Sequence, residues 1–88
     1  TVTDDMAAGV LKYCNEKRID VPGQVSIIGF NNQQITRLVQ PELTTLEIPV
    51  KPYAAETFRF LMDWFDGKNR KTCKTLFDCP LIVRKSTK

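Results

Sequence analysis

Two asparagines, Asn31 and Asn32, follow a short apolar run, Val25-Ser26-Ile27-Ile28-Gly29-Phe30, and no other place in the chain is better situated for binding chemistry. Such a run, bounded by turn residues, reads as a strand buried on both faces, as in a parallel sheet. Open α/β sheets bind their ligands at the carboxyl ends of strands, and a carboxamide there offers one acceptor oxygen and two N–H donors. The alternative is that Asn31 merely caps the strand's end. A second polar group, Thr3-Asp4-Asp5, stands at the start of a predicted helix. Asp4 and Asp5 mimic an acidic catalytic pair, but neighbours at a helix start point in different directions. The chain has no histidine, no nucleophile elbow and no phosphate-binding glycine loop. Neither catalytic residues nor a metal site nor a cofactor is expected.

Eighty-eight residues suit one small domain, which buries roughly 60–65% of its unfolded surface by size scaling. The hydrophobic fraction of 42% and charged fraction of 26% are those of a globular protein rather than a disordered tail. No apolar stretch approaches the roughly 20 residues of a membrane span, so no membrane partner is expected. No signal peptide is visible, and a chain beginning at Thr1 rather than Met is expected to lack its natural start. Cys14, Cys73 and Cys79 are an odd set without a C-x-x-C pair, which favours the cytoplasm over a disulfide scaffold. Cys14 is expected in the core. Charge is uneven: residues 1–50 carry −2 and residues 51–88 carry +5. Much of the excess lies in Gly67-Lys68-Asn69-Arg70-Lys71-Thr72-Cys73-Lys74. With no interleaved aromatics, and placed just past a helix whose dipole favours cations there, it reads as a solvated turn.

The elements that position these groups follow from periodicity. A first helix is predicted from about Asp4 to Lys17, capped by Thr3 or Asp4, with Met6, Val10, Tyr13 and Cys14 on one face. Gly9 costs about 1 kcal/mol relative to Ala in a helix, which suggests close packing against a neighbouring backbone. Pro22-Gly23 punctuates the turn into the Val25–Phe30 strand. Ile35, Leu38 and Val39 lie at helical spacing in an otherwise polar stretch and predict a short helical turn. Leu43 to Ile48 alternates and is β-branched, so it reads as a strand. Pro52 fits the first turn of a second helix. Ala54, Phe58, Leu61, Met62 and Phe65 make its apolar stripe, and Gly67 ends it. Thr75–Cys79 and Leu81–Arg84 read as strands on either side of Pro80. The first helix has no complete strand before it, although a βαβ unit needs one. Thr1-Val2-Thr3 resembles the end of such a strand, and the Val25–Phe30 strand is expected to lack its parallel neighbour.

Several motifs in order resemble the effector-binding domain of lactose-repressor/galactose-repressor (LacI/GalR) family transcription regulators. They are Asp4-x-Met6-Ala7-x-Gly9, Val21-Pro22, Val25-Ser26-Ile27-Ile28-Gly29-Phe30, Pro41-x-Leu43-Thr44-Thr45, Pro49, Ala55 and Arg84-x-Ser86-Thr87. The resemblance covers nearly the whole chain. It implies an α/β, periplasmic-binding-protein-like fold, a parallel sheet with flanking helices, present only as a C-terminal fragment. In that frame residues 1–42 belong to the C-terminal subdomain and residues 43–50 cross over. Residues 51–80 join the N-terminal subdomain, and residues 81–88 return. The DNA-binding domain is expected to lie outside these 88 residues.

The resemblance also implies roles. Asn31 stands where the family commonly has an effector-binding Asp; the amide keeps an acceptor, adds donors and removes the charge, which suits an anionic sugar phosphate better than the carboxylate would. Thr3 matches a frequent ligand-contacting Asn, though N-capping explains it equally well. Asp4 matches a common Asp whose role is either contact or helix-start stabilisation. Ile48 replaces a frequent polar residue, leaving apolar packing against a sugar face. Ala8, Leu11, Ile35, Leu38 and Val39 fall where family members dimerise, the alternative being that they fill this chain's own core. The implied partners are a carbohydrate-class effector, a second copy of the chain, and operator DNA through the missing domain alone. An extracytoplasmic sugar-binding protein of a transport system shares the fold, but the Leu43-Thr44-Thr45 and Arg84-x-Ser86-Thr87 motifs favour the regulator. The 88 residues alone should therefore show no operator-specific binding by fluorescence anisotropy at moderate salt. Their basic cluster should give only a salt-sensitive attraction that random duplex competes away.

Overall fold

The computed structural model describes Thr1 and residues 3–68, 71–72 and 74–88. Val2 of the expected Thr1-Val2-Thr3 strand end, and Asn69, Arg70 and Cys73 of the basic cluster, lie outside the described residues. The chain divides into two compact units, Thr1–Ile48 with Cys79–Lys88, and Pro49–Asp78.

The first unit holds helices α1 (Asp4–Glu16) and α2 (Ile35–Leu38) and strands β1 (Ile28–Phe30), β2 (Thr44–Leu46) and β3 (Leu81–Ile82). The sheet runs β1-β2-β3. β1 and β2 are parallel, with Gly29 opposite Thr45, and β3 is antiparallel to β2, with Ile82 opposite Thr45. Thr3 caps α1 by accepting a hydrogen bond from the Met6 amide at 3.2 Å, as its hydroxyl and position require. The helix buries Asp4, Ala7, Leu11 and Cys14, one stripe at helical spacing. Ala7, Leu11 and Cys14 then pack with Ile27 and Leu43 to make the core.

Several expectations are corrected. Met6 and Tyr13 are each 56% exposed, and Val10 is exposed too, so only Cys14 of the predicted α1 face is inward. Asp4 turns the helix so that Ala7 and Leu11 face the sheet instead. Gly9 has no neighbour within 4 Å of where a Cβ would stand, so close packing does not explain it. The Val25–Phe30 strand shortens to Ile28–Phe30, and it is not buried on both faces, since Val25 and Ile28 are exposed. It does have a parallel neighbour in this chain, β2. On its other edge the Ile28 carbonyl accepts from the Thr1 hydroxyl at 2.8 Å.

The expected Leu43–Ile48 strand contracts to Thr44–Leu46, and Leu81–Arg84 to Leu81–Ile82. Side chains replace the ladder at both ends. The Arg84 amide donates to Thr44 Oγ1 at 2.9 Å, and the Thr44 amide donates to Ser86 Oγ at 2.8 Å. Among the described residues, the expected Thr75–Cys79 strand is absent.

The second unit is α3 (Val50–Phe65) and the segment after it. Pro52 occupies its first turn, and Gly67, at φ +72°, closes its end in the left-handed conformation that glycine adopts without Cβ strain. The Phe77 ring stands edge-on to Tyr53 with centroids 5.7 Å apart. Arg59 pairs with Glu56 and Asp63, and its hydrogen bond holds the Glu56 carboxyl below the usual carboxylate range, against a small opposing effect of desolvation. No residue of α3 is buried. Phe58 is 66% and Phe65 73% exposed. Leaving such side chains in water forgoes roughly 1.5–3 kcal/mol each, a large share of a small domain's stability. The 88-residue polypeptide should therefore associate, and light scattering should report a dimer or larger species; a sharp-resonance monomer at high micromolar concentration would contradict this.

Candidate functional site

Asp4 is fully buried at the first turn of α1. A buried carboxylate is tolerable only when hydrogen bonds replace its water. Its Oδ2 accepts from the Gln33 amide and its Oδ1 from the Thr45 hydroxyl, each at 2.7 Å. Glycine at position 29 makes room, since a methyl group there would overlap Asp4 Oδ1. One side chain thus joins the helix start, the middle of the sheet and the loop leaving β1.

That loop is held at three successive amides. Asn31 N donates to the Leu46 carbonyl at 2.8 Å, Asn32 N to Thr45 Oγ1 at 3.2 Å, and Gln33 N to Asp4. To reach these partners the backbone takes φ values of +107° at Asn31 and +52° at Asn32, a region asparagine enters more readily than other side chains. With the backbone so fixed, Asn31 Oδ1 is buried and has no hydrogen-bond partner. A buried acceptor left unpaired costs about 1–3 kcal/mol. It is the group in this loop that an added donor would satisfy.

Asn32 is spent on protein partners. It donates to Glu47 Oε1 at 3.2 Å and accepts from Arg84 at 2.7 Å, while the other arm of Arg84 donates to the Leu43 carbonyl at 2.8 Å. Ser86 Oγ in turn donates to the Ile27 carbonyl at 2.6 Å and accepts from Thr44 N.

The other sequence-predicted residues fall in distinct places. Thr3 is half-buried and its hydroxyl is committed to the α1 cap. Asp4 is committed to Gln33 and Thr45, so both of its oxygens serve the fold. Ile48 is half-buried at the end of the first unit's leading segment. Ala8, Leu11 and Val39, with Lys12 and Gln40, line a groove of about 220 Å³ between α1 and the residues after α2. Leu11 is 1% exposed and forms part of the core. Leu38 projects outward at 69% exposure, and Ile35 is half-buried. Sequence reasoning missed Asn32, Thr45 and Arg84 as partners. The signal for Thr45 was its strand alternation with Thr44; nothing local marks the long-range bond from Asn32 to Arg84.

Residues 1–87 match the model of the periplasmic binding protein-like domain. The chain belongs to that family. The HTH-type transcriptional repressor CytR of Escherichia coli K12 is 36% identical over 86 residues, which are 98% of this chain and 25% of CytR. The HTH-type transcriptional regulator GalR of the same strain is 34% identical over 83 residues, 94% of this chain and 24% of GalR. The chain thus spans about a quarter of the curated relatives it matches. Among solved structures, a periplasmic binding protein/LacI transcriptional regulator from Alkaliphilus metalliredigens QYMF, complexed with D-xylulofuranose, superposes with a TM-score of 0.84. It is 29% identical, covering 98% of this chain and 32% of that one. The transcription regulator CcpA of Lactococcus lactis gives 0.85 at 28% identity, over 99% and 33%. The periplasmic-binding-protein-like fold and the LacI/GalR kinship implied by the motifs are both found, and the relatives are regulators rather than transport proteins or enzymes.

Asp4→Ala in this family member should destabilise by roughly 2–4 kcal/mol, because it strands the Gln33 amide and the Thr45 hydroxyl in the interior. Gly29→Ala should also destabilise, through overlap with Asp4, and should cost much less in the Asp4→Ala background. Additive losses in a denaturant double-mutant cycle would contradict that coupling.

Proposed function

We propose that this chain is the C-terminal part of the effector-binding module of a LacI/GalR-type transcriptional repressor. A small carbohydrate-class molecule binds at the carboxyl end of β1 by donating a hydrogen bond to Asn31 Oδ1. The observation that carries this reading is that oxygen, buried and unpaired on a loop whose Asn31, Asn32 and Gln33 backbone amides are all occupied. The D-xylulofuranose complex of the Alkaliphilus regulator supports the ligand class. Asn31 is uncharged, so it accepts from a sugar hydroxyl without repelling a phosphate. Thr3 and Asp4 shape the site from beneath, and Ile48 offers an apolar surface to a sugar face.

In the intact repressor, residues 43–50 and 81–88 cross between subdomains, and the effector biases their relative orientation. Operator affinity at the distant DNA reader changes by linkage. The protein works in the cytoplasm as a homodimer and catalyses nothing. The α1 groove with Ala8, Val39 and the neighbouring Leu38 and Ile35 meets the second copy. No described helix is long and apolar enough to cross a membrane.

A thermal-shift panel of free sugars and sugar phosphates on the complete effector domain should reveal a binder. Calorimetry with that compound should then show Asn31→Ala weakening binding by about 1–3 kcal/mol, the cost of losing a buried hydrogen bond. Unchanged affinity in a folded variant rejects the assignment.

A further inference from the structure

Asn31 and Asn32 both hold their backbones at positive φ, +107° and +52°. Asparagine enters this region more readily than most residues, yet the conformation still costs free energy and persists only where its surroundings over-determine it. The three loop amides supply part of that constraint, through Leu46, Thr45 and Asp4. The Asn32 side chain supplies another part. Its Nδ2 donates to Glu47 Oε1 at 3.2 Å, and its Oδ1 accepts from Arg84 at 2.7 Å. Asn32, Glu47 and Arg84 all belong to the first unit, with Glu47 directly after β2 and Arg84 shortly after β3.

The chemistry of this bridge is specific. Glu47 can only accept and Arg84 can only donate, so the group between them must do both. A carboxamide does so with two separate atoms; a carboxylate cannot donate to Glu47, and an ammonium cannot accept from Arg84. Both bonds reach a charged partner, which makes them stronger than neutral ones. The bridge also decides which group of the loop stays vacant. Arg84 gives one N–H to Asn32 and another to the Leu43 carbonyl, while the Thr45 hydroxyl and the Gln33 amide both go to Asp4. With these donors committed elsewhere, Asn31 Oδ1 is the acceptor left over.

We propose that Asn32 is the positioning residue of the binding loop. By spanning Glu47 and Arg84, its side chain holds the positive-φ backbone that leaves the neighbouring Asn31 Oδ1 buried, unpaired and open to a ligand's donor. The consequence for ligand rests on the proposed binding role of Asn31; the hold on the loop does not.

The test is amide hydrogen exchange at residue resolution on the full-length protein without ligand, each rate taken relative to that of the unstructured chain. Asn32→Asp sets a carboxylate against Glu47 while keeping the Arg84 arm. Exchange at the Asn31 and Gln33 amides should quicken about tenfold or more, the scale of losing a hydrogen bond to a charged group, while the Leu11 amide in α1 keeps its protection. Adding Glu47→Gln restores a donor to the new carboxylate and should return the loop to the wild-type rate. Asn32→Gly separates strain from bonding, because glycine takes positive φ without Cβ strain but makes neither side-chain bond; it should quicken the same amides. Glu47→Ala, which removes one arm without adding charge, should do so too, and serves if the Asn32 variants do not fold. Unchanged loop exchange in the folded variants, quickening that extends equally to α1, or no recovery with Glu47→Gln overturns the proposal. If no sugar or sugar phosphate binds the wild-type protein, the binding reading fails, while loop exchange still decides the role of Asn32.

Discussion

The first unit depends on the buried carboxylate of Asp4. Carboxylates are rarely taken out of water without partners, and this one has two, drawn from the loop after β1 and from the middle strand. Because both oxygens are engaged, the rotation of α1 about its axis is set, and Ala7, Leu11 and Cys14 follow onto the sheet. The same bonds fix Gln33 and, through Thr45, the Asn32 amide. The exposed Met6, Val10 and Tyr13 are the other side of that choice. Asp4 therefore ties the start of α1 to the loop that carries Asn31.

A second feature of the unit is how much of its interior is polar. Asp4, Thr36, Thr44, Thr45 and Ser86 are as buried as Ala7, Leu11, Cys14, Ile27 and Leu43. Thr36 donates to the Gln33 carbonyl at 2.6 Å, and its own carbonyl accepts from the Leu43 amide at 2.9 Å. Thr44 and Ser86 do for the short strands what further ladder bonds would otherwise do. Adjacent strand residues face opposite sides, so Thr45 serves the α1 side while Thr44 meets Thr87 and the Arg84 amide. The Leu43-Thr44-Thr45 and Arg84-x-Ser86-Thr87 motifs are thus two halves of one hydrogen-bonded seam, and each makes little sense without the other.

Much of this was legible in the sequence. The caps and breakers were, because Thr3, Pro52 and Gly67 act through local geometry. Kinship was legible from motif order. The strand lengths were not: β-branched runs such as Leu43–Ile48 predict pairing wherever a neighbour exists, and here hydroxyls end the ladder early. The α1 face was not, because a hydrophobic-periodicity argument gives an aspartate no inward role, whereas Asp4 is fully buried with both carboxylate oxygens bonded. Asn31 stood out as a candidate from its place after the apolar run, though its unpaired oxygen is visible only in the fold. The bond between Asn32 and Arg84 was not legible, since it spans 52 positions of sequence and no local pattern reports it.

The most direct test of the central claim is a crystal structure of the complete protein with the tightest compound from the sugar and sugar-phosphate panel. A hydroxyl of that compound should donate to Asn31 Oδ1 at about 2.7–2.8 Å, the usual O–H···O distance, with Asp4 still bonded to Gln33 and Thr45. A ligand bound away from the β1 loop, or an Asn31 oxygen satisfied by another part of the protein, would contradict the account.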